Sequence, residues 1–443
     1  MLKELFNANL MNRFKFATFT LILSNVVIVP IALYAQGSLT PPGAPAPSMK
    51  SLEQIEPRTP ISSLPFVISQ PGSYYLTTNL TDTASTNGII VQADDVTIDL
   101  CGFALSGSSV FTPYSSGVYT GFDLRNNLTV RNGTIRDWGF QGVRGGYLNN
   151  SHFENLRIYG NVEGGITVGH GCVIRRCVAQ SNGGIAIYAA GDSVITDCAS
   201  ISNAGYGIEI AGGNGVVESC STSFNQDIGI ASGDCCTVRG CTTSDNWGAG
   251  ILTERNSTVT DCTANTNGQT GLYQDGIYAG PYSTVSRCTV IGNTQDGIYV
   301  LDGSTVEDCT VGLNGTNGIK AGIGSTVRNC TVRGNGDDGI EVPNDCQVTG
   351  NHCTGNGNGS GTGAGIHTTI AGNHIEGNSA IYNQRGLWIE GVANLVTRNS
   401  SRYNPNGTGS NNFIIVSGNM VGPINSLASG FITNTSPWAN FSY

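Results

Sequence analysis

Residues 292–332 read GNTQDGIYVLDGSTVEDCTV followed at once by GLNGTNGIKAGIGSTVRNCTV. A third version, GNGDDGIEVPNDCQVTGNHCT, fills 334–354. The shared unit is N-x-x-D-G-I-x-V-x-x-x-S-T-V-x-x-C-T-V, about 21 residues long by the spacing that marks repeat architectures. No 3.6-residue apolar period survives in it. Short β-branched runs alternate with Gly, Asn and Ser, the pattern of strands joined by tight turns. Leu is too sparse for a leucine-rich repeat, and ankyrin and tetratricopeptide units are longer and helical.

Outward from that stretch the unit runs through most of the chain. A Gly before Ile, Val or Leu falls at 88, 117, 142, 165, 184, 207, 229, 250, 276, 297, 318, 339, 365 and 386. A Cys column runs from Cys177 through Cys288, Cys309 and Cys330 to Cys353, and an Asn column from Asn182 to Asn356. A fixed period means a solenoid in which each unit stacks only on its neighbours. The expected fold is therefore all-β, a parallel β-helix of about fourteen coils of about 21 residues. Each coil carries three strands, G-I-x-V, S-T-V-x-x and C-T-V. Alternation places Ile and the last residue of G-I-x-V in the core and x in solvent. Gly is expected to supply the positive φ that the corners demand, and the Asn column a hydrogen-bonded ladder.

Composition agrees. Gly numbers 62 of 443 and charged residues are 12%, about half the usual share near 25%. The formal net charge is −10 and no long run of Lys or Arg occurs, which excludes the basic footprint of a nucleic-acid binder. The N-terminus has the form of an export signal, with Arg13 and Lys15 before an apolar stretch ending at Ala35; a retained anchor is the alternative. The expected organisation is a signal peptide at 1–35, a Pro/Gly/Ser-rich linker at 36–60 and an N-terminal cap at 61–87. The β-helix proper would span 88–410, with a last strand and cap at 411–443. The location implied is secreted, periplasmic or cell envelope, with no other membrane span.

The fourteen Cys of an exported chain invite a disulfide framework. Disulfides, however, want Cβ atoms about 3.8 Å apart, and stacked coils hold them nearer 4.8 Å. A reduced Cys ladder of small hydrophobes is expected. Cys172, Cys235, Cys236 and Cys346 fall outside the column and are the bridge candidates. No C-x-x-C pair occurs, so no zinc site is expected.

The unit GIxVxxxSTVxxCTVxxN resembles the right-handed parallel β-helix repeat of the pectate-lyase-like superfamily, of the exported bacterial type. The opening GSYYLTTNL and GIIVQADDVTIDLCGFALSG resembles the first coils of such proteins. The resemblance covers roughly residues 65–420. It implies the fold, and a superfamily of pectate lyases, polygalacturonases, alginate lyases and epimerases, and phage tailspikes, so chemistry must be argued from the site. NTQDGIYV and GNGDDGIEV also resemble the aspartate motifs of polygalacturonase-like hydrolases, which would place Asp296, Asp337 and Asp338.

The x column reads Ile90, Tyr119, Arg144, Thr167, Ala186, Glu209, Ala231, Leu252, Tyr278, Tyr299, Lys320, Glu341, His367 and Trp388. Its last six members form the expected groove. Tyr278, Tyr299 and Trp388 would stack on sugar rings, and Arg385 would pair with carboxylates. Lys320, Glu341, His367, Asp296 and Asp338 are the candidate catalytic groups. Asp275 and Asp296, on adjacent coils, are candidate Ca²⁺ ligands. The expected partner is an acidic polysaccharide or cell-envelope glycan, bound or processed with lyase- or epimerase-like chemistry. The alternatives are a non-catalytic surface scaffold or adhesin, and a polygalacturonase-like hydrolase.

Overall fold

A computed structural model describes residues 56–108, 115–358, 361–404, 411–426 and 434–443. The expected signal segment and most of the linker lie outside them. Among the described residues no helix is long and apolar enough to cross a membrane.

One coil shows how the sequence makes the fold. Ile298–Val300 is a strand, a turn follows, Thr305–Glu307 is the second strand and Thr310–Gly312 the third. Ile298, Val300, Val306 and Val311 point inward and are fully buried, each contributing roughly 1.5–3 kcal/mol by its removal from water. Tyr299, between Ile298 and Val300, faces out. The coil pairs in parallel with its neighbours so that Ile298 lies between Ile277 and Ile319, and Val306 between Val285 and Val327. The first strands of all coils form one sixteen-stranded parallel sheet, here the front sheet, while the second and third strands join into a larger back sheet. Two of the sixteen exceed the expected fourteen. They are Phe66–Ile68 and Phe413–Ile415, end rungs that lack the Gly-Ile signal.

Three ladders line the turns. Asn161 to Asn404 stack, each Nδ2 and backbone N–H donating to the Oδ1 of the next Asn, as in Asn225 to Asn246 (2.9 and 3.1 Å) and Asn246 to Asn267 (3.0 and 3.2 Å). The Cys column is buried and unbridged, and each Sγ donates weakly to carbonyls, as Cys309 does to Glu307 O at 3.2 Å. Cys353 does not belong to it. His352–Thr354 pairs with Thr331–Arg333 so that Cys353 continues the Val332 position, and Asn351 takes the ladder place above Cys330. The third ladder was not foreseen. Ser193 accepts from the backbone of Cys172, and Ser257 from that of Cys236. Ser283, Ser304 and Ser325 continue the column, and Asn373 accepts from Cys346. This corrects the bridge candidates: Cys172, Cys236 and Cys346 stand among serines, Cys235 is exposed, and all fourteen cysteines are free.

Glycines supply positive φ at corners as expected, for example Gly303 (φ 66°) and Gly324 (φ 68°), but the Gly column before Ile has another cause. Its members do not have positive φ; a further left-handed corner sits before the Cys column, at Asp308 (φ 56°) and Asn329 (φ 55°). Gly297 is required by close approach. A Cβ there would lie 2.5 Å from Asn314 Nδ2, 2.5 Å from Val311 Cγ1 and 2.7 Å from Gly318 O.

Candidate functional site

The front sheet presents one outward side chain per rung, stacked in register. Tyr119, Arg144, Thr167, Tyr188, Glu209, Ala231, Leu252, Tyr278, Tyr299, Lys320, Glu341, His367 and Trp388 follow one another. One member differs from expectation. The strand is Ile187–Ala190, so Tyr188 faces out, and Ala186 is buried in the position held elsewhere by Gly. Gly184 belongs to the preceding turn. The spacing carried the signal: 165 to 186 and 186 to 207 are both 21, whereas 165 to 184 and 184 to 207 are 19 and 23.

The stretch from Asp275 to Glu390 brings the expected residues together and satisfies them with one another. Asp275, Asp296, Asn317 and Asp338 form a further buried ladder, each accepting a backbone N–H from the next coil. The bonds run from Asp296 N (3.2 Å), Asn317 N (2.9 Å), Asp338 N (3.0 Å) and Ala364 N (2.6 Å). Asp296 Oδ1 also accepts from Thr316 Oγ1. Calcium takes 6–8 oxygen ligands, and among the described residues no group of three or more His, Cys, Asp or Glu could hold a metal ion. The Asp275–Asp296 pair is therefore backbone-capping, not a fit for Ca²⁺.

Lys320 Nζ lies 3.3 Å from Glu341 Oε1, and Asn317 Nδ2 donates to Glu341 Oε2 at 2.9 Å. Burial alone would lower the Lys320 pKa, but the charges of Glu341 and Asp296 outweigh it and hold the ammonium above its ordinary value. His367 Nδ1 is 2.8 Å from Asp338 Oδ2. Its Nε2 is 3.4 Å from Glu390 Oε2, within reach of the charge but not aligned as a hydrogen bond. Burial again acts downward, and the two carboxylates overcome it, so the imidazole is held above its usual value. Both groups are thus paired with carboxylates on the face itself. The imidazole stacks on Trp388 at 4.0 Å, and the Arg385 guanidinium lies 4.0 Å over the same indole while donating to Thr362 O. The indole is already engaged by two side chains.

Open space on the front face lies further toward the N-terminus. Ala231 is small, and beside it the turns raise Tyr206 and Tyr273. The result is a concavity of about 350 Å³ lined by Tyr206, Glu209, Ile228, Ala231, Leu252, Glu254 and Tyr273. Ile228, Ala231 and Ala249 form an apolar floor separate from the main core. Near it a second concavity of about 300 Å³ is lined by Gln141, Glu163, Thr167 and Tyr188. Tyr273 meets Tyr278 edge-on at 4.9 Å, and Tyr278 meets Tyr299 at 5.4 Å. Burial, then the charge of Asp227, pushes the Glu209 carboxyl above its ordinary value; burial does the same to Asp227. Sequence reasoning missed Tyr206 and Tyr273 because they sit in turns, off the repeating column. The usable signal was the longer turn at 268–275, where the Cys interval grows from 21 to 26.

The family model described as right handed beta helix region matches residues 68–215 and 184–327, together more than half of the chain. The chain belongs to the right-handed β-helix family. No curated protein sequence matches this β-helix. Among solved structures it resembles the Azotobacter vinelandii mannuronan C-5 epimerase AlgE6 A-module (15% identity, TM-score 0.42, 74% of this chain and 90% of that one). It also resembles the periplasmic alginate epimerase AlgG (12%, TM-score 0.40, 74% and 78%) and pectate lyase Pel9A (15%, TM-score 0.30, 77% and 72%). The likeness is one of fold.

The β-helix makes a pH-dependent prediction at Asp275. Burial, then the neighbouring charge of Asp296, pushes its carboxyl up to about 7, against about 3.9 in an unfolded chain. Between those values the folded state holds the extra proton, so this residue costs stability progressively as pH rises through that window. Asn317 fills the same ladder position with a neutral amide. Asp275→Asn should therefore unfold at the same temperature as the parent near pH 4 and at a higher one at pH 8. A melting-temperature gap that does not widen between those pH values would contradict the burial argument.

Proposed function

We propose that this β-helix binds a polysaccharide lengthwise along the outward face of its front sheet, over the rungs from Gln141 to Tyr299. One observation carries the reading: two successive concavities, walled by Tyr188, Tyr206 and Tyr273, open on a face whose side chains repeat once per rung. Tyrosine offers an apolar ring face and a polar edge, the combination that a sugar ring, apolar on its C–H face and hydroxylated at its rim, can use. Rung spacing of about 4.8 Å is comparable to the length of one hexose unit, so a linear glycan can address successive rungs. Export, expected from residues 1–35, suits a glycan ligand outside the cytoplasm.

The reading is binding without turnover. The groups expected to move protons, Lys320 and His367, are already paired with Glu341 and with Asp338 and Glu390, and Asp296 and Asp338 are spent on backbone N–H groups. This favours the adhesin-like alternative over lyase, epimerase or hydrolase chemistry. Retardation of the protein in gels carrying soluble glycans tests it. Tyr206→Ala and Tyr273→Ala should each weaken binding by about fivefold, on the order of 1 kcal/mol for one aromatic contact, without altering the circular dichroism spectrum. Loss of the reading would follow if no glycan retards the parent protein or if both variants migrate as it does.

A further inference from the structure

The charge of the concavities says more about the ligand. Among the described residues there are ten glutamates, and seven have a cationic or histidine partner: Glu56, Glu154, Glu218, Glu307, Glu341, Glu376 and Glu390 pair with Arg58, Arg175, Arg239, Arg328, Lys320, Arg398 and His367. The three with no ion pair are Glu163, Glu209 and Glu254, and these are the three that line the two concavities. No Lys, Arg or His lines either concavity. Toward the C-terminal end of the face, Lys320 is bound to Glu341. Toward the other end, the Arg144 guanidinium lies against Tyr119, Phe122 and Phe140.

Each of the other described glutamates has an Arg, Lys or His within ion-pair distance. Here the chain leaves carboxylates facing an open, tyrosine-walled hollow, with Glu209 half-buried against an apolar floor where an unpaired charge is costly. Resting on the glycan reading above, we propose that the ligand is a cationic glycan, an amino-sugar polymer with free amines, whose ammonium groups pair with Glu163, Glu209 and Glu254. Ammonium–carboxylate hydrogen bonds are stronger than neutral ones. A uronate polymer would set like charges against each other in the same hollows, which revises the acidic polysaccharide expected from the repeat alone.

The test uses the full chain and four hexasaccharides in titration calorimetry: β-1,4-linked glucosamine, its N-acetylated counterpart, a neutral glucan and a galacturonate. The glucosamine oligomer should bind about tenfold more tightly than the N-acetylated one at low salt. That ratio should fall toward one at high ionic strength, where exposed charges are screened, and in the double variant Glu209→Gln, Glu254→Gln, which keeps side-chain size. Equal binding of the amine and N-acetyl forms, or tighter binding of the galacturonate, would overturn the cationic specificity while leaving glycan binding intact. Binding of none of the four would remove both readings together.

Discussion

Replacing Asn246 with alanine will lower the unfolding free energy by about 3–5 kcal/mol, through several buried partners left unsatisfied at about 1–3 kcal/mol each. Its Oδ1 accepts from Asn225 Nδ2 (2.9 Å) and Asn225 N (3.1 Å). Its Nδ2 donates to Asn267 Oδ1 (3.0 Å) and Thr222 O (3.2 Å). The side chain is fully buried, so removing it orphans groups on the rung below and the rung above. Urea unfolding followed by far-ultraviolet circular dichroism measures the loss. A change under 1 kcal/mol would mean that water enters the turn and replaces the amide, and the ladder would then be ornament to the fold.

Gly297→Ala should cost about 3 kcal/mol, the upper part of the usual range for overpacking, since the new methyl would overlap Val311, Asn314 and the Gly318 carbonyl. The molecule contains its own control. The one rung with alanine in this column, Ala186, is matched by Ser200 in the column that Val311 occupies. That correspondence is traced through Thr222, Thr243, Ala264 and Val290. Val311→Ser in the Gly297→Ala background should therefore show a favourable coupling of about 1–2 kcal/mol in a double-mutant cycle, within the range for contacting residues. Strict additivity of the two changes would place the conflict elsewhere, at the Gly318 carbonyl or Asn314.

The repeat was legible because stacking gives every coil the same surroundings. Asn recurs where an amide must bond both ways along the axis, and Val recurs where a side chain meets its own kind. The errors arose where that identity breaks. Gly183 and Gly184 offered a decoy before Ile185 and hid Tyr188. Cys353 shares a residue type with the Cys ladder but not a place in it. The end rungs at Phe66 and Phe413 face a neighbour on one side only and need no Gly. The site was less legible than the fold for the same reason. Lys320, Glu341, His367 and Trp388 stand in the repeating column and were visible, yet in space Lys320 pairs with Glu341, and His367 pairs with Asp338 while stacking on Trp388. Tyr206, Tyr273 and Glu254 stand in turns whose lengths vary, where no period constrains them. What a glutamate lacks, such as a counter-charge, cannot be seen until its neighbours on other coils are known.

Because Ile277, Ile298, Ile319 and Ile340 are interchangeable partners in one parallel register, the molecule has no intrinsic length. Duplication or loss of a whole 21-residue segment in the gene would leave every junction looking like those already present. Only the span of the outer surface would change. In such an architecture, avidity for a linear polymer becomes a matter of how many copies a lineage retains, adjustable without inventing a single new contact.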